Sequence, residues 1–488
     1  MKSKLKYLTA FKLKDFASFK FLLLLLLFIL YAANVQAKSY DNEIEKKREK
    51  LISYLSSVQL SQEPKTKEGK KGIELYQQFL TGKQDALTKS VVLLKKATKN
   101  NDSEAMSWLG QLYFKGIGVE LDKEKGLALL RKSDELGNAS GSYNLGILLF
   151  QEQTVFGETD EAIEFVKKAY RQGFPLAISA LGNIELARAN PKKAIKYFEE
   201  GKQKGDLYSI SALGGVYIHG RGVKRDTKRG LALLEHAWEH GLHDAGLSLY
   251  ATYGAGRGVK VDHKKAIQYV KEAAILGSAD AYAYWCSITM NGYIDVKKDL
   301  NAAISQCKKG VELGSIVAPR TLSIIYLFEP YLNDPKLFHI GRKWLYYAAN
   351  KGNPEAMSEI ASWIYSGKFG FEPNYDEAYQ WAKQGAELGH PLGMLVLAGL
   401  SVNTNKPLSK IKQPDYQSCW FWSSIVQTLT PGRNSSAGIR ECGAQIDQIW
   451  KQSKQLEIAK KIKFYRLNYW TNEHISKIKR GGFDVNNF

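Results

Sequence analysis

The sequence lacks the signatures of several enzyme classes. It has no Gly-x-Ser-x-Gly segment, which argues against the nucleophile turn of an α/β-hydrolase. Its Gly-x-Gly segments lack the Gly-Lys-Ser/Thr ending of a phosphate-binding loop, and they end predicted helices rather than begin them. Ser-x-x-Lys segments begin at Ser305, Ser409 and Ser476, but no Ser-Asp-Asn or Lys-Thr-Gly segment accompanies them. We therefore expect no catalytic site and no cofactor.

Long apolar runs are also scarce. The run over residues 21–33 has thirteen residues, fewer than the roughly 20 that span a bilayer. It follows a segment with six lysines, and Val35 and Ala37 stand where a cleavage site needs small residues. This arrangement predicts a signal peptide over residues 1–37, and hence a periplasmic or secreted protein, most simply of a bacterial envelope.

Positive charge is abundant. The composition, 44% hydrophobic and 24% charged, is that of a globular protein, and the formal net charge is +20. A basic exported protein is attracted to anionic cell-wall material or to a membrane surface, whereas export makes nucleic acid the least expected partner. The alternative is that lysines only solubilise the outer faces of helices.

Glycine recurs with a period of about 36 residues. Each of these glycines closes a helix-like stretch, such as residues 272–277, at the position where a left-handed residue often ends a helix. Small residues stand four and eleven positions before each glycine, on one helix face, where they let two backbones approach closely. Asn101 extends the register upstream, which gives nine second helices. The predicted cap glycines are Gly137, Gly173, Gly205, Gly241, Gly277, Gly314, Gly352 and Gly389.

First helices precede these second helices, and glycine recurs in them at Gly110, Gly146, Gly182 and Gly214. Connecting segments such as Gly-Arg-Gly-Val at residues 220–223 predict the turn between the two helices. An aspartate follows three of these turns as a candidate N-cap of the second helix, at Asp122, Asp226 and Asp262.

These motifs together resemble the Sel-one-like repeat, a relative of the tetratricopeptide repeat. The resemblance covers roughly residues 70–400. It is strongest over 103–138, 207–242 and 243–278, and it fades over 139–206 and 316–353. It implies an all-α fold, a right-handed α-solenoid of about nine antiparallel helix pairs with a concave inner face. It also implies adaptor or scaffold work and supplies no catalytic residues.

The two ends depart from the repeat. Residues 38–69 are polar and predict either a capping segment or a loose arm. Residues 401–488 predict a helical C-terminal cap with a basic, aromatic last helix. That helix either lies on an anionic membrane surface or packs on the final repeat.

The four cysteines form two pairs, and each pair is symmetric about a predicted turn. The midpoint of Cys286 and Cys307 falls within residues 291–299, and that of Cys419 and Cys442 falls at Pro431. In an oxidising compartment this placement predicts the disulfides Cys286–Cys307 and Cys419–Cys442. Cysteine-rich members of the resembled family bridge their hairpins similarly. The alternative is four unpaired cysteines that pack as small core residues.

His236, Glu239 and His240 match the His-x-x-Glu-His pattern of one zinc peptidase class. On a helix the two histidines share a face, and the glutamate could act as a base. However, the segment is also the last turn of an ordinary repeat, with Ala237 at the packing position and Gly241 as the cap. We therefore expect no metal here, and a zinc hydrolase is a remote alternative.

The sequence thus favours an exported, non-catalytic scaffold that binds a protein or peptide partner of the cell envelope. A module that binds peptidoglycan or another anionic glycan is the alternative. No pattern in the sequence identifies the residues that contact the partner.

Overall fold

The regular structure of the chain is helical throughout the residues described in the computed structural model. These are residues 41–58, 61–80, 83, 85–152, 160–188, 190–328, 335–402, 415–429, 442, 444–445 and 454. They contain no strand, only an isolated bridge between Tyr293 and Val296. The helices are α1 (41–58), α2 (Lys67–Leu80), α3 (Ala86–Lys99), α4 (Ser103–Lys115), α5 (Lys123–Glu135), α6 (Ala139–Glu152), α7 (Asp160–Arg171), α8 (Ala177–Ala187), α9 (Pro191–Gln203), α10 (Leu207–His219), α11 (Thr227–Glu239), α12 (His243–Ala255), α13 (His263–Ile275), α14 (Ala279–Asn291), α15 (Leu300–Glu312), α16 (Ala318–Phe328), α17 (Pro335–Asn350), α18 (Pro354–Ser366), α19 (Tyr375–Glu387), α20 (Pro391–Ser401) and α21 (Tyr416–Leu429).

Helices α2 to α19 form nine consecutive antiparallel hairpins. Hairpin 1 is α2–α3, and the numbering continues to hairpin 9, which is α18–α19. Each hairpin also packs on the next one, and α20 packs on α19 and α21. Apolar surface is therefore buried between neighbours along the whole array, as in other solenoids. The all-α solenoid predicted from the repeat is confirmed.

Left-handed residues end the second helices of the hairpins. All eight predicted cap glycines have positive φ, from 76° at Gly205 to 105° at Gly277, and Asn101 has φ 54°. The following residue bonds back into the helix; for example, the Asn138 N–H donates to the Ser133 carbonyl at 3.1 Å. A residue with a Cβ costs about 1 to 2 kcal/mol in this conformation, which explains why glycine recurs there.

The close approach of the two backbones limits which side chain the eighth position of a first helix can hold. A Cβ on Gly214 of α10 would lie 2.9 Å from both the Leu234 Cγ and the Gly230 carbonyl oxygen of α11. In hairpin 7 the corresponding positions, on α14 and α15, hold Cys286 and Cys307, which are both fully buried. The position that has no side chain in hairpin 5, Gly214, thus holds a disulfide-bonded cysteine, Cys286, in hairpin 7.

The array curves back on itself. Ile117, in the turn of hairpin 2, is buried, and a Cβ on Gly314 at the end of hairpin 7 would lie 2.7 Å from its Cδ1. The Lys351 ammonium, beyond hairpin 8, donates to the Lys115 carbonyl. The solenoid therefore brings its second hairpin against its seventh and eighth.

Candidate partner-binding surface

Helix α1 lies across the middle of the array rather than before its first hairpin. Ile44, Leu51 and Leu55 are at most 4% exposed, although α1 is otherwise mostly polar. Their spacings of seven and four residues place them on one helix face. Ile44 belongs to the apolar cluster built by α10 to α14. A single apolar stripe therefore seats α1 on the solenoid.

Lys47 makes the most buried polar contact of α1. Its ammonium lies 3.2 Å from a Glu272 carboxylate oxygen and 4.6 Å from the centre of the Trp238 ring. Both charged side chains are at most 10% exposed. The other Glu272 oxygen accepts a 2.8 Å hydrogen bond from Gln268, so each carboxylate oxygen has a donor. Paired and hydrogen-bonded in this way, the two charges are tolerated in a dry contact.

The C-terminal end of α1 is held at the start of α10. The Tyr54 hydroxyl donates to Asp206 at 2.7 Å and accepts from the Leu207 N–H at 3.1 Å. Asp206 also accepts the Tyr208 and Ser209 N–H groups as the N-cap of α10. Burial, followed by the Asp206 carboxylate, raises the pKa of Tyr54 above its ordinary value. The phenol therefore stays protonated and keeps its donor role.

The residues after α1 continue towards the start of α4. Ser61 donates to Glu104 at 2.8 Å, and Thr66 donates to Asp102 through both its N–H and its hydroxyl. Burial raises the pKa of the fully buried Glu104 carboxyl, an effect opposed by the hydrogen bonds it accepts, from Asn138 first. The segment thus crosses the array from hairpin 6 back to hairpin 2.

We call Asp206, Trp238, Gly241, Glu272 and Ile275 the α1-binding surface. Besides the contacts above, the Ile275 carbonyl accepts from Arg48 at 3.1 Å. A Cβ on Gly241 would collide with the Lys47 backbone. Gly241 is therefore required twice, for its left-handed φ of 84° and for the approach of α1.

The structure pairs the four cysteines as two disulfides. Cys286 and Cys307 join α14 to α15 with a Cα–Cα distance of 5.3 Å, and Cys419 of α21 joins Cys442 at 6.0 Å. All four are buried, and each disulfide lies in an apolar cluster.

The His-x-x-Glu-His segment forms the end of α11. The rings of His236 and His240 lie 4.5 Å apart, and the His240 Nδ1 is 2.8 Å from the His236 carbonyl oxygen. In the described part of the chain, no three His, Cys, Asp or Glu side chains are gathered closely enough to hold a metal ion. Among those described residues, no third ligand lies beside this pair.

Sequence reasoning missed the α1-binding surface, although a signal was present. Ile44, Leu51 and Leu55 recur at helical spacing within the polar segment that was predicted as a cap or a loose arm. The predicted signal peptide and the basic last helix lie outside the described residues. In the helices that are described, none is long and apolar enough to cross a membrane.

Comparison with known proteins agrees with the helical repeat. The Sel1 repeat family matches residues 103–138, 139–174, 181–206, 208–242, 245–278, 333–353 and 354–390. An uncharacterized protein of Neisseria meningitidis is 27% identical over 38% of this chain and 40% of its own length. The chitin synthase regulator of Saccharomyces cerevisiae is 25% identical over 61% of this chain and 43% of its own. The chain thus spans less than half the length of these curated relatives.

Two solved structures are similar at lower identity. A protective antigen of uropathogenic Escherichia coli with an SLR fold is 21% identical, covering 86% of this chain and 87% of its own, with a TM-score of 0.42. A Sel1 repeat protein of Oxalobacter formigenes is also 21% identical, covering 66% and 99%, with a TM-score of 0.32. Seven matched repeats and the nine hairpins agree on one assignment: this chain belongs to the Sel1 repeat family.

Proposed function

We propose that the protein is an exported, non-catalytic adaptor that binds an amphipathic helix of a protein partner. Sel1 repeat solenoids are typical protein-interaction scaffolds. The observation that supports the finer proposal is that this solenoid already holds a helix, α1, on the α1-binding surface. The partner's helix takes the place of α1, so α1 is a tethered occupant of the site.

The contacts of α1 define what such a partner carries. Its helix needs an apolar stripe at the spacings of Ile44, Leu51 and Leu55, because these side chains supply the buried contact. It also needs a basic residue at the position of Lys47 to pair with Glu272. An unpaired carboxylate left in that contact would be costly, so the pair confers specificity rather than raw affinity.

Export is part of the proposal. Two disulfides are consistent with an extracellular or periplasmic protein, because thiols are kept reduced in the cytosol of most cells. The leader-like residues 1–37 supply the signal. The curated relative from yeast is named as a regulator of a synthase rather than as the synthase itself, which fits a partner-binding role.

A peptide competition tests the proposal in the full chain. The variant Leu51→Asp/Leu55→Asp places two charges against the solenoid and should displace α1 from the α1-binding surface. A fluorescent peptide with the sequence of residues 41–58 should then bind this variant, and fluorescence anisotropy measures that binding. The matched control is Ser53→Asp/Ser57→Asp, which adds the same charge on exposed positions of α1.

The proposal predicts that the peptide binds the Leu51→Asp/Leu55→Asp variant. It should bind the wild type and the control at least about tenfold more weakly, because α1 competes there at high effective concentration. Equal binding to all three proteins, or binding to none while circular dichroism shows an intact helical array, would contradict it.

A further inference from the structure

Hairpins 8 and 9 enclose a cavity of about 610 Å³, a size within the range of ordinary ligand sites. One wall is a single face of α17, and the other comes from hairpin 9. His339 and Asn350, at the two ends of the α17 wall, are eleven residues apart, which corresponds to about 16 Å of helix. The cavity is therefore an elongated groove, and it shares no residue with the α1-binding surface.

Aromatic rings form part of both walls. The ring centres of Tyr346, on α17, and Phe371, in hairpin 9, lie 5.9 Å apart. Tyr347, the next residue of α17, is 36% exposed, although the Lys351 ammonium lies 5.3 Å from its ring centre. Rings of this kind cover the apolar part of a ligand, and their electron-rich faces attract polarised C–H groups.

Hydrogen bonds tie the two walls together. The Tyr346 hydroxyl donates to Glu377 of α19 at 3.2 Å, and the Trp381 Nε1 donates to the same carboxylate at 3.3 Å. Burial, followed by the Glu377 carboxylate, raises the pKa of Tyr346 to about 12, so the phenol keeps its proton. The Arg342 guanidinium donates to the Gly370 carbonyl of hairpin 9. The groove is therefore formed before any ligand binds.

Lys343, Asn350 and Glu372 also line the groove, and all three are exposed. None of them makes a hydrogen bond or an ion pair with another residue of the described part of the chain. The Lys343 ammonium offers donors, the Glu372 carboxylate offers acceptors, and the Asn350 amide offers both. The groove thus presents free donors and free acceptors side by side.

This mixture distinguishes between classes of ligand. A phosphate or a carboxylate only accepts hydrogen bonds, and Glu372 would repel it, whereas an ammonium group only donates, and Lys343 would repel it. A sugar hydroxyl both donates and accepts, and a pyranose ring has an apolar face of C–H groups that stacks on tyrosine. Neighbouring hydroxyls also match the two adjacent polar atoms of a planar amide or carboxylate, whereas the N–H and C=O of a peptide unit point apart.

We propose that this groove binds a short neutral oligosaccharide, with a pyranose ring against Tyr347 and hydroxyls bound by Lys343, Asn350 and Glu372. The charges of the described lining residues fit a ligand without net charge, because Arg342 and Lys343 offset Glu372 and Glu377. The proposal does not depend on whether a partner helix displaces α1, since the two surfaces have no residue in common.

A glycan array tests the proposal with the full chain. The array carries neutral, N-acetylated and uronic-acid oligosaccharides together with short peptides, and calorimetry then measures the affinity for the glycan that binds best. The site variant is Asn350→Ala/Glu372→Ala. The matched control is Asn301→Ala/Glu124→Ala, which removes the same two groups at exposed positions of hairpins 7 and 2. Circular dichroism checks the fold of each variant, and Tyr347→Phe and Tyr347→Ser test the aromatic contact separately.

We expect the wild type to bind a neutral or N-acetylated oligosaccharide. The site variant should bind it at least about tenfold more weakly, because two hydrogen-bonding groups are lost, and the control should stay within about twofold of the wild type. Tyr347→Phe should keep the affinity and Tyr347→Ser should lower it, because the ring face makes the contact. Added sodium chloride should change the affinity little, since the ligand carries no net charge.

Three outcomes would overturn the proposal. The first is a wild-type chain that binds no glycan of the array, or only its peptides. The second is binding to uronic-acid glycans alone that disappears as salt is added, because general attraction to a basic protein then explains it. The third is a correctly folded site variant that binds as well as the control.

Discussion

Hairpins 5 and 7 have the same frame and different contacts. All four of their helices, α10, α11, α14 and α15, have 13 residues, and each second helix is capped by an aspartate and followed by a left-handed glycine. At the same register, however, hairpin 5 packs Gly214 on Leu234, whereas hairpin 7 bonds Cys286 to Cys307. The repeat therefore specifies where two backbones meet, and the local residues decide what holds them.

The two hairpins also differ in what lies against them. Hairpin 5 carries the contacts of the α10 N-terminus with Tyr54, and its His219 lies 3.4 Å from Arg257 of the next turn. The end of hairpin 7 instead packs against Ile117 of hairpin 2. Hairpin 5 thus contacts α1, whereas hairpin 7 contacts hairpin 2.

Removal of the disulfide in hairpin 7 should have the largest effect. Cys286→Ala/Cys307→Ala frees a loop with a sequence separation of 21, which corresponds to about 3 kcal/mol of unfolding free energy. Because solenoid stability is largely a sum over neighbours, hydrogen exchange should rise in α14 and α15 and stay nearly unchanged in α10 and α11. Cys419→Ala/Cys442→Ala is the control and should leave hairpin 7 unaffected; equal loosening of hairpin 5 in the first variant would refute the local account.

A methyl group at Gly214 should have the next largest effect. Gly214→Ala places a Cβ 2.9 Å from Leu234 and from the Gly230 carbonyl, and such overpacking costs about 2 kcal/mol. Its neighbour Gly215 has open space around the same position, so Gly215→Ala should be neutral or stabilising by about 0.5 kcal/mol. Chemical denaturation measures both, and similar stabilities for the two variants would count against close packing at Gly214.

Loss of the N-caps should affect the two hairpins alike. Asp226 accepts the Arg229 N–H, and Asp299 accepts the Ala302 N–H at 2.9 Å. Replacement of either by Ala should cost about 1 kcal/mol, and Asn should retain most of the stability. Thermal unfolding checks this equality, and a cap that matters in one hairpin only would show that their frames differ.

A fall in pH should produce the smallest difference in stability between the two hairpins. The folded-state pKa of His219 is about 4, below the ordinary 6.5, so between these values the unfolded chain takes up a proton that the folded chain does not. The stability contributed by His219 is therefore complete above pH 6.5 and is lost as the pH falls towards 4. His219→Gln should lose less Tm than the wild type between about pH 7 and about pH 5, and equal losses would contradict the assignment. Hairpin 7, which has no histidine, should show no such difference.

Whether a contact could be predicted from the sequence depends on how many residues separate its two partners along the chain. The cap glycines and the two cysteine pairs were accessible because each depends on residues close in sequence, as in the separations of 21 residues for Cys286 and Cys307 and 23 for Cys419 and Cys442. The contact of Lys47 with Glu272 joins residues 225 positions apart. A period of 36 residues carries no information on such a contact, and only the apolar spacing within α1 hinted at it. The contact of Arg257 with His219 depends likewise on how two turns are placed in space.

A charge-reversal cycle between α1 and the solenoid tests the central claim most directly. Peptides with the sequence of residues 41–58, with and without Lys47→Glu, are titrated into the Leu51→Asp/Leu55→Asp chain, with and without Glu272→Lys. The account predicts that each single reversal weakens binding by about tenfold or more, because it leaves like charges in a buried contact, and that the double reversal restores much of it. If the two reversals act independently, the peptide does not occupy the α1-binding surface and the helix-binding account is wrong.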